Sequence, residues 1–129
     1  MSQDPSEVTT TMPRLEQVEI IEVHDTRDLI AVEALFRRVW STREDRPPIN
    51  ADVLRALAYS GSYVALARDS EGEIAGAAVG FLSRDTTVDP PAPSLHSHIA
   101  AVAPGNERRG IGRALKLHQR DFAQRHGLT

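Results

Sequence analysis

A proline and a pair of glycines, set between two runs of different period, constrain this chain most. "SLHSHIAAVAP" (residues 94–104) reads as a strand halted by Pro104, whereas Ile111, Leu115, His118 and Phe122 recur at four, three and four, the spacing of one helical face. Between them stands Gly110-Ile111-Gly112. The chain must pass from a strand through a turn into a helix, over about 110–125, that begins where Arg108, Arg109 and Arg113 concentrate positive charge. That end of a helix dipole repels cations. The arrangement becomes favourable when an anion lies between the arginines and the unpaired N–H groups of the first helical turn, which glycines let a ligand approach. A glycine-containing turn with solvated arginines accounts for the same residues, and a bare G-x-G does not decide between the two.

The rest of the sequence alternates in the same way. "VEIIEVH" (18–24) reads as a first strand, and Asp25 or Thr26 can cap a helix through Leu29, Val32, Leu35, Phe36, Val39 and Trp40. Pro47 and Pro48 break it, and Asn50 can cap a second helix through Val53, Leu54, Ala56 and Leu57. "SYVALARD" and "EIAGAAVGFLSR" read as two antiparallel strands joined through "DSEGE", where Gly72 supplies the positive φ of a tight hairpin. "TTVDPPAP" is a stiff loop. Residues 1–16, polar and rich in Ser, Thr and Pro, are expected to form a disordered tail ahead of one domain at 17–129. The order strand-helix-helix-strand-strand-strand-helix implies an α+β fold.

Composition narrows the partners. With 15 basic against 18 acidic residues and a net charge of −3, neither nucleic acid nor an anionic membrane is expected, so any anion site is local. Arg108, Arg109, Arg113, Lys116, Arg120 and Arg125 against Glu107 and Asp121 make the last segment positive. No secretory signal and no apolar run of about 18 residues is present, which points to a soluble, cytoplasmic protein. There is no cysteine, hence no disulfide, thiolate metal site or cysteine nucleophile. A triphosphate-binding loop is excluded by the lack of G-x-x-x-x-G-K-[ST], and G-x-G-x-x-G fails at Leu115.

"HIAAVAPGNERRGIGRALKLHQRDFAQRHG" (98–127) resembles the acetyl-CoA motif of the GNAT superfamily of N-acetyltransferases, in which a strand runs through a V-x-P-type turn into [QR]-x-x-G-x-[GA] and a helix. The element order from Val18 onward is similar too. Glu107 departs from the family's Gln or Arg, and the sequence stops before the fifth strand of that fold. The resemblance implies α/β/α layers about a mixed, mainly antiparallel sheet, incomplete beyond the seventh element. "LHSH" and "ALKLHQR" are similar to a bacterial group of predicted acyltransferases, some of which use succinyl-CoA. The implied cosubstrate is therefore acetyl-CoA or another acyl-CoA such as succinyl-CoA, with no metal.

On that resemblance, the amides of Arg108, Arg109, Gly110, Ile111, Gly112 and Arg113 hold the pyrophosphate. Ala100, Ala101 and Val102 pair through their backbone with the pantetheine arm, and an N–H near Ala100 polarises the thioester carbonyl. His96 lies fourteen residues before Gly110, roughly where several histone-type relatives keep a general-base glutamate. His96 and His98 are expected to share one strand face with Ala100 and Val102, and a neutral imidazole there can take the proton of an attacking amine. An α-amine suits it better than a lysine, whose ordinary pKa is higher by about two units. Both histidines also fit a structural role. His-x-His could ligate a metal, but no third ligand is near and no metal site is expected; His118 falls on the apolar stripe, and His24 and His126 at element ends. Arg43, Glu44, Asp45 and Arg46 could meet a zwitterionic acceptor or simply be solvated.

The functional expectation is direct acyl transfer to the primary amine of a small molecule such as an amino acid, since no cysteine can carry the acyl group. The competing expectation is a non-catalytic acyl-CoA-binding or interaction module whose fourth strand pairs at its edge with a second copy or a partner chain.

Overall fold

The computed structural model describes residues 18–40, 49–106 and 110–129. Its elements are β1 (Glu19–Glu22), α1 (Thr26–Val39), α2 (Ala51–Tyr59), β2 (Tyr63–Arg68), β3 (Ile74–Asp85), β4 (Ala92–Val102) and α3 (Ile111–Arg125). The tail at 1–16, the break at Pro47–Pro48, the loop 41–46 and the trio Glu107, Arg108 and Arg109 lie outside the described residues.

Polar side chains set the starts of α1 and α2. Asp25 Oδ1 accepts from the Asp28 N–H at 2.9 Å, and Asn50 Oδ1 from the Val53 N–H at 2.9 Å. Leu29, Val32, Leu35 and Phe36 of α1 and Leu54 and Ala58 of α2 are buried. Glu33 ties the two helices by accepting from the Ala51 N–H at 3.0 Å.

The four strands lie in the order β1-β2-β3-β4, each neighbouring pair antiparallel, with β4 at one edge. The two faces bury different helices. Val64, Leu66, Ala77, Val79 and Ala101 pack with α1 and α2, whereas Tyr63, Ala65, Ala67, Ala75 and Ala78 pack under Ile111, Leu115 and Phe122 of α3. This is the expected α+β architecture in helix/sheet/helix layers. β3 is built for close approach: a Cβ on Gly76 would lie 2.9 Å from Ile111 Cγ2 and 3.1 Å from Leu115 Cδ1, so α3 rests on bare backbone.

The expected mixed sheet is antiparallel through its four described strands, and a parallel contact appears only at the last residue. After α3, the Leu128 N–H donates to Ala123 O at 2.8 Å and Gly127 takes φ 68°, a glycine helix stop that turns the chain back toward β4. Thr129 N–H then donates to Pro93 O at 3.2 Å while Leu95 N–H donates to Thr129 O at 3.1 Å, the bonding of one residue to two partners that marks parallel pairing. β4 also starts inside the stretch read as a stiff loop, at Ala92. No helix among the described residues is long and apolar enough to cross a membrane.

Candidate functional site

On either side of residues 107–109, the strand end and the helix start form as the sequence requires. The Ala103 N–H closes β4 against Ala75 O at 2.8 Å, and the Asn106 N–H donates to Ala103 O at 3.0 Å in the turn that follows. Gly110 occupies the left-handed region at φ 79°, and the first helical bond runs from the Ala114 N–H to Gly110 O at 3.0 Å. The N–H groups of Ile111, Gly112 and Arg113 precede that bond, and no side chain among the described residues caps them. No acidic residue stands in the first turn. A Cβ on Gly112 would meet, among the described residues, only Val102 Cγ2, at an ordinary 3.8 Å, so their packing does not require this glycine. N–H groups at a helix start are donors that an anion such as a diphosphate can use.

Gly112 also brings the helix start beside the end of β4. Along β4, the Ala103 N–H points inward to β3, so alternation directs the N–H and C=O of Val102 and Ala100 to the outer edge. Ala101 faces inward in the ladder and places its side chain against the α1/α2 layer. Of the three residues expected to pair with an extended ligand, Ala100 and Val102 thus have the outward backbone and Ala101 does not.

A β-bulge corrects the placement of the histidines. Pairing runs Val79↔Ile99 and then Gly80↔Ser97, so His98 is an extra residue in β4. The slip reverses the faces on either side of it. Ala100 pairs with Ala78 of the α3 layer, and Val102 packs in that layer, whereas His96 pairs with Phe81. The Phe81 ring lies 6.4 Å from that of His96 and 4.8 Å from that of His98, centroid to centroid. His96 and His98 therefore do share a face, but with Phe81 and opposite to Ala100 and Val102. Both imidazoles are exposed and Phe81 is half-buried. Phe81 was not singled out by the sequence reading, although an aromatic at the exposed end of a β-strand is a signal that could have found it.

The positive segment is less uniform than its residue count. Arg125 is engaged by Asp121 at 2.7 Å and Glu22 at 3.1 Å, while Lys116 Nζ donates to Ser97 Oγ at 2.8 Å. Gly110, Arg113 and Arg120 are exposed. His118 is structural, as its position on the stripe implies: it lies 2.7 Å, Nδ1 to hydroxyl, from buried Tyr63. Burial, helped by Glu22, pushes the Tyr63 phenol above its ordinary range, so it stays protonated. Burial likewise pulls the His118 imidazole below its ordinary value, against the opposing pull of Glu22 and Asp121.

No protein-family model matches the sequence, and no curated protein matches it either. Solved structures do. An aminoglycoside acetyltransferase from an uncultured soil metagenomic sample, crystallised with sisomicin, superposes with TM-score 0.73 at 20% identity, over 88% of this chain and 74% of that one. A ribosomal-protein-alanine N-acetyltransferase from Brucella melitensis biovar Abortus 2308 gives TM-score 0.65 at 19% identity, over 87% and 76%. A GCN5-related glucosamine N-acetyltransferase region of a fungal multi-domain β-N-acetylglucosaminidase gives 0.64 at 20% identity, over 82% of this chain and 12% of that one. The chain has the fold of the GNAT-type acetyltransferases.

Proposed function

We propose that this chain is an acyl-CoA-dependent N-acyltransferase that moves an acetyl or similar acyl group directly to the primary amine of a small molecule such as an amino acid. One observation carries the reading: the N–H groups of Ile111, Gly112 and Arg113, capped by no side chain among the described residues, stand beside the outward backbone of Ala100 and Val102, with Gly112 and Val102 Cγ2 at the junction. A diphosphate on the helix start and an amide-bearing arm along the β4 edge use both at once.

The donor supplies an activated thioester carbonyl. The Ala100 N–H, fixed in the strand, aims at the oxygen of that carbonyl and is worth most when negative charge develops there. The amine approaches from the other face, where His96 and His98 flank Phe81. His96 removes the proton as the new C–N bond forms and the C–S bond breaks, and the thiolate leaves with a proton from solvent. With no cysteine in the chain, the transfer needs no acyl-enzyme.

Calorimetric titration with acetyl-CoA and turnover with a panel of amino acids test this together. His96→Ala is expected to bind acetyl-CoA as the wild type does and to lose roughly 10²–10⁴-fold in turnover. Unchanged turnover in that variant removes the proposed base. The second reading, a module that binds without turning over, is favoured by the edge position of β4, whose outer side Thr129 engages only at Pro93 and Leu95 among the described residues. Binding without acylation of any amine would select it.

A further inference from the structure

β3 and β4 outrun the rest of the sheet. Tyr63, the first residue of β2, pairs with Gly80, so from Phe81 to Asp85 the ladder gives β3 only β4 as a neighbour. Gly80 turns toward α3, where an added Cβ would lie 2.9 Å from the Nε2 of buried Gln119. Alternation then turns Phe81 to the opposite side, on which Val79 packs with α1 and α2. The core of that layer passes along Val79 and its partner Ile99 and runs out at half-buried Phe81, with exposed His96 directly across the ladder.

The rings here leave surface for another. Phe81 and His96 are within 28° of parallel, yet their centroids stand 6.4 Å apart, whereas rings in full overlap lie about 4 Å apart. They sit nearly side by side and spend little of their faces on each other. His98 meets the same phenyl ring at 4.8 Å, tilted by 54°. Charge is sparse along this face of the ladder. The next pair is Ser83 with Ser94, and the first carboxylate, Asp85, stands about 13 Å along the strand from Phe81. Asp85 is already engaged, accepting from the Thr87 N–H and hydroxyl. What the ladder offers beside His96 is a flat aromatic surface.

We propose that Phe81 selects the acceptor, and that the preferred acceptor is an arylalkylamine, a primary amine on a short linker from an aromatic ring. The inference rests on the reading of His96 as the base. The acceptor's ring lies on the shelf that Phe81 makes with the imidazoles, and the linker leaves the amine at His96. Offset and edge-on ring contacts favour an aromatic ring over a saturated one of the same size.

Turnover with acetyl-CoA is compared for 2-phenylethylamine and 2-cyclohexylethylamine, and the imidazole resonances of His96 and His98 are followed by NMR as each amine is added. The phenyl amine is expected to exceed the cyclohexyl amine about five-fold in kcat/KM and in affinity, and to shift both imidazoles saturably. Phe81→Leu keeps apolar bulk without the ring and should bring the two amines to parity, whereas Phe81→Tyr should keep the preference. Parity in the wild type, a preference that survives Phe81→Leu, or imidazole resonances that the phenyl amine leaves unmoved overturns the proposal. The wild-type comparisons decide the matter even if Phe81→Leu does not fold. If neither amine is acylated but the phenyl amine still saturates the imidazole signals at lower concentration than the cyclohexyl amine, the acyltransferase reading fails and the aromatic site stands.

Discussion

α1 and α2 begin in one way and α3 in another. In the first two, a side-chain oxygen of Asp25 or Asn50 accepts a first-turn N–H, and an acidic residue, Asp28 or Asp52, faces the positive end of the dipole. α3 starts on a left-handed glycine with neither device. Its stability comes instead from its body, where Ile111 and Leu115 press on Gly76 and the Tyr63–His118 bond anchors the helix further along. A helix held by its body can leave its first N–H groups for something outside the protein.

The strongest way to break this comparison is to give α3 the acid that the others have. Gly112→Glu has room at its Cβ, and a carboxylate there favours the dipole, so the melting temperature should hold or rise while affinity for acetyl-CoA falls by about 100-fold in a calorimetric titration. Gly110 is a poorer site for the experiment, because any side chain at φ 79° also strains the backbone. The reverse effect is expected in the body of the helix. Gly76→Ala must push back Ile111 and the Ala101 carbonyl, and should lower stability by about 1–3 kcal/mol in denaturant unfolding. Removing the side-chain caps ranks next: Asp25→Ala or Asn50→Ala should each cost about 1 kcal/mol of stability and leave donor affinity unchanged.

The smallest effect concerns pH. The His118 pKa is lowered on folding, so between its folded value and the unfolded value near 6.5 the unfolded chain binds more protons than the folded one. Its contribution is full above about pH 6.5 and declines with acidification until the folded ring itself protonates. Because the ring is part-exposed, the change should be smaller than the loss of a cap, and His118→Gln should remove it from a pH series of unfolding curves.

The sequence made these two kinds of helix start legible unequally. Asp25 and Asn50 stand directly before helical periods, and both caps form where their residue types predict. The turn at Gly110 was equally plain, since a proline-stopped strand followed by G-x-G leaves few alternatives, and Gly72 takes the positive φ of its hairpin. The bulge was not legible. "HSHIAAV" alternates without a glycine or proline to mark an extra residue, so strict period two put His96 and Val102 on one face, and pairing with β3 undid it. Gln119 was missed for a different reason. It sits four residues after Leu115 and three before Phe122, spacing that marks it as buried, but a glutamine draws no attention on an apolar stripe. Gly76 and Gly80, four apart on one strand face, were likewise readable as the place where a helix comes close.

The most direct test is an amide NMR titration of the full chain with coenzyme A. The account predicts that the largest shifts fall on Ile111, Gly112 and Arg113, with Ala100 and Val102 following, while the capped amides of Asp28 and Val53 stay still. Saturating coenzyme A that leaves residues 111–113 unmoved, or that shifts only residues elsewhere, would contradict it.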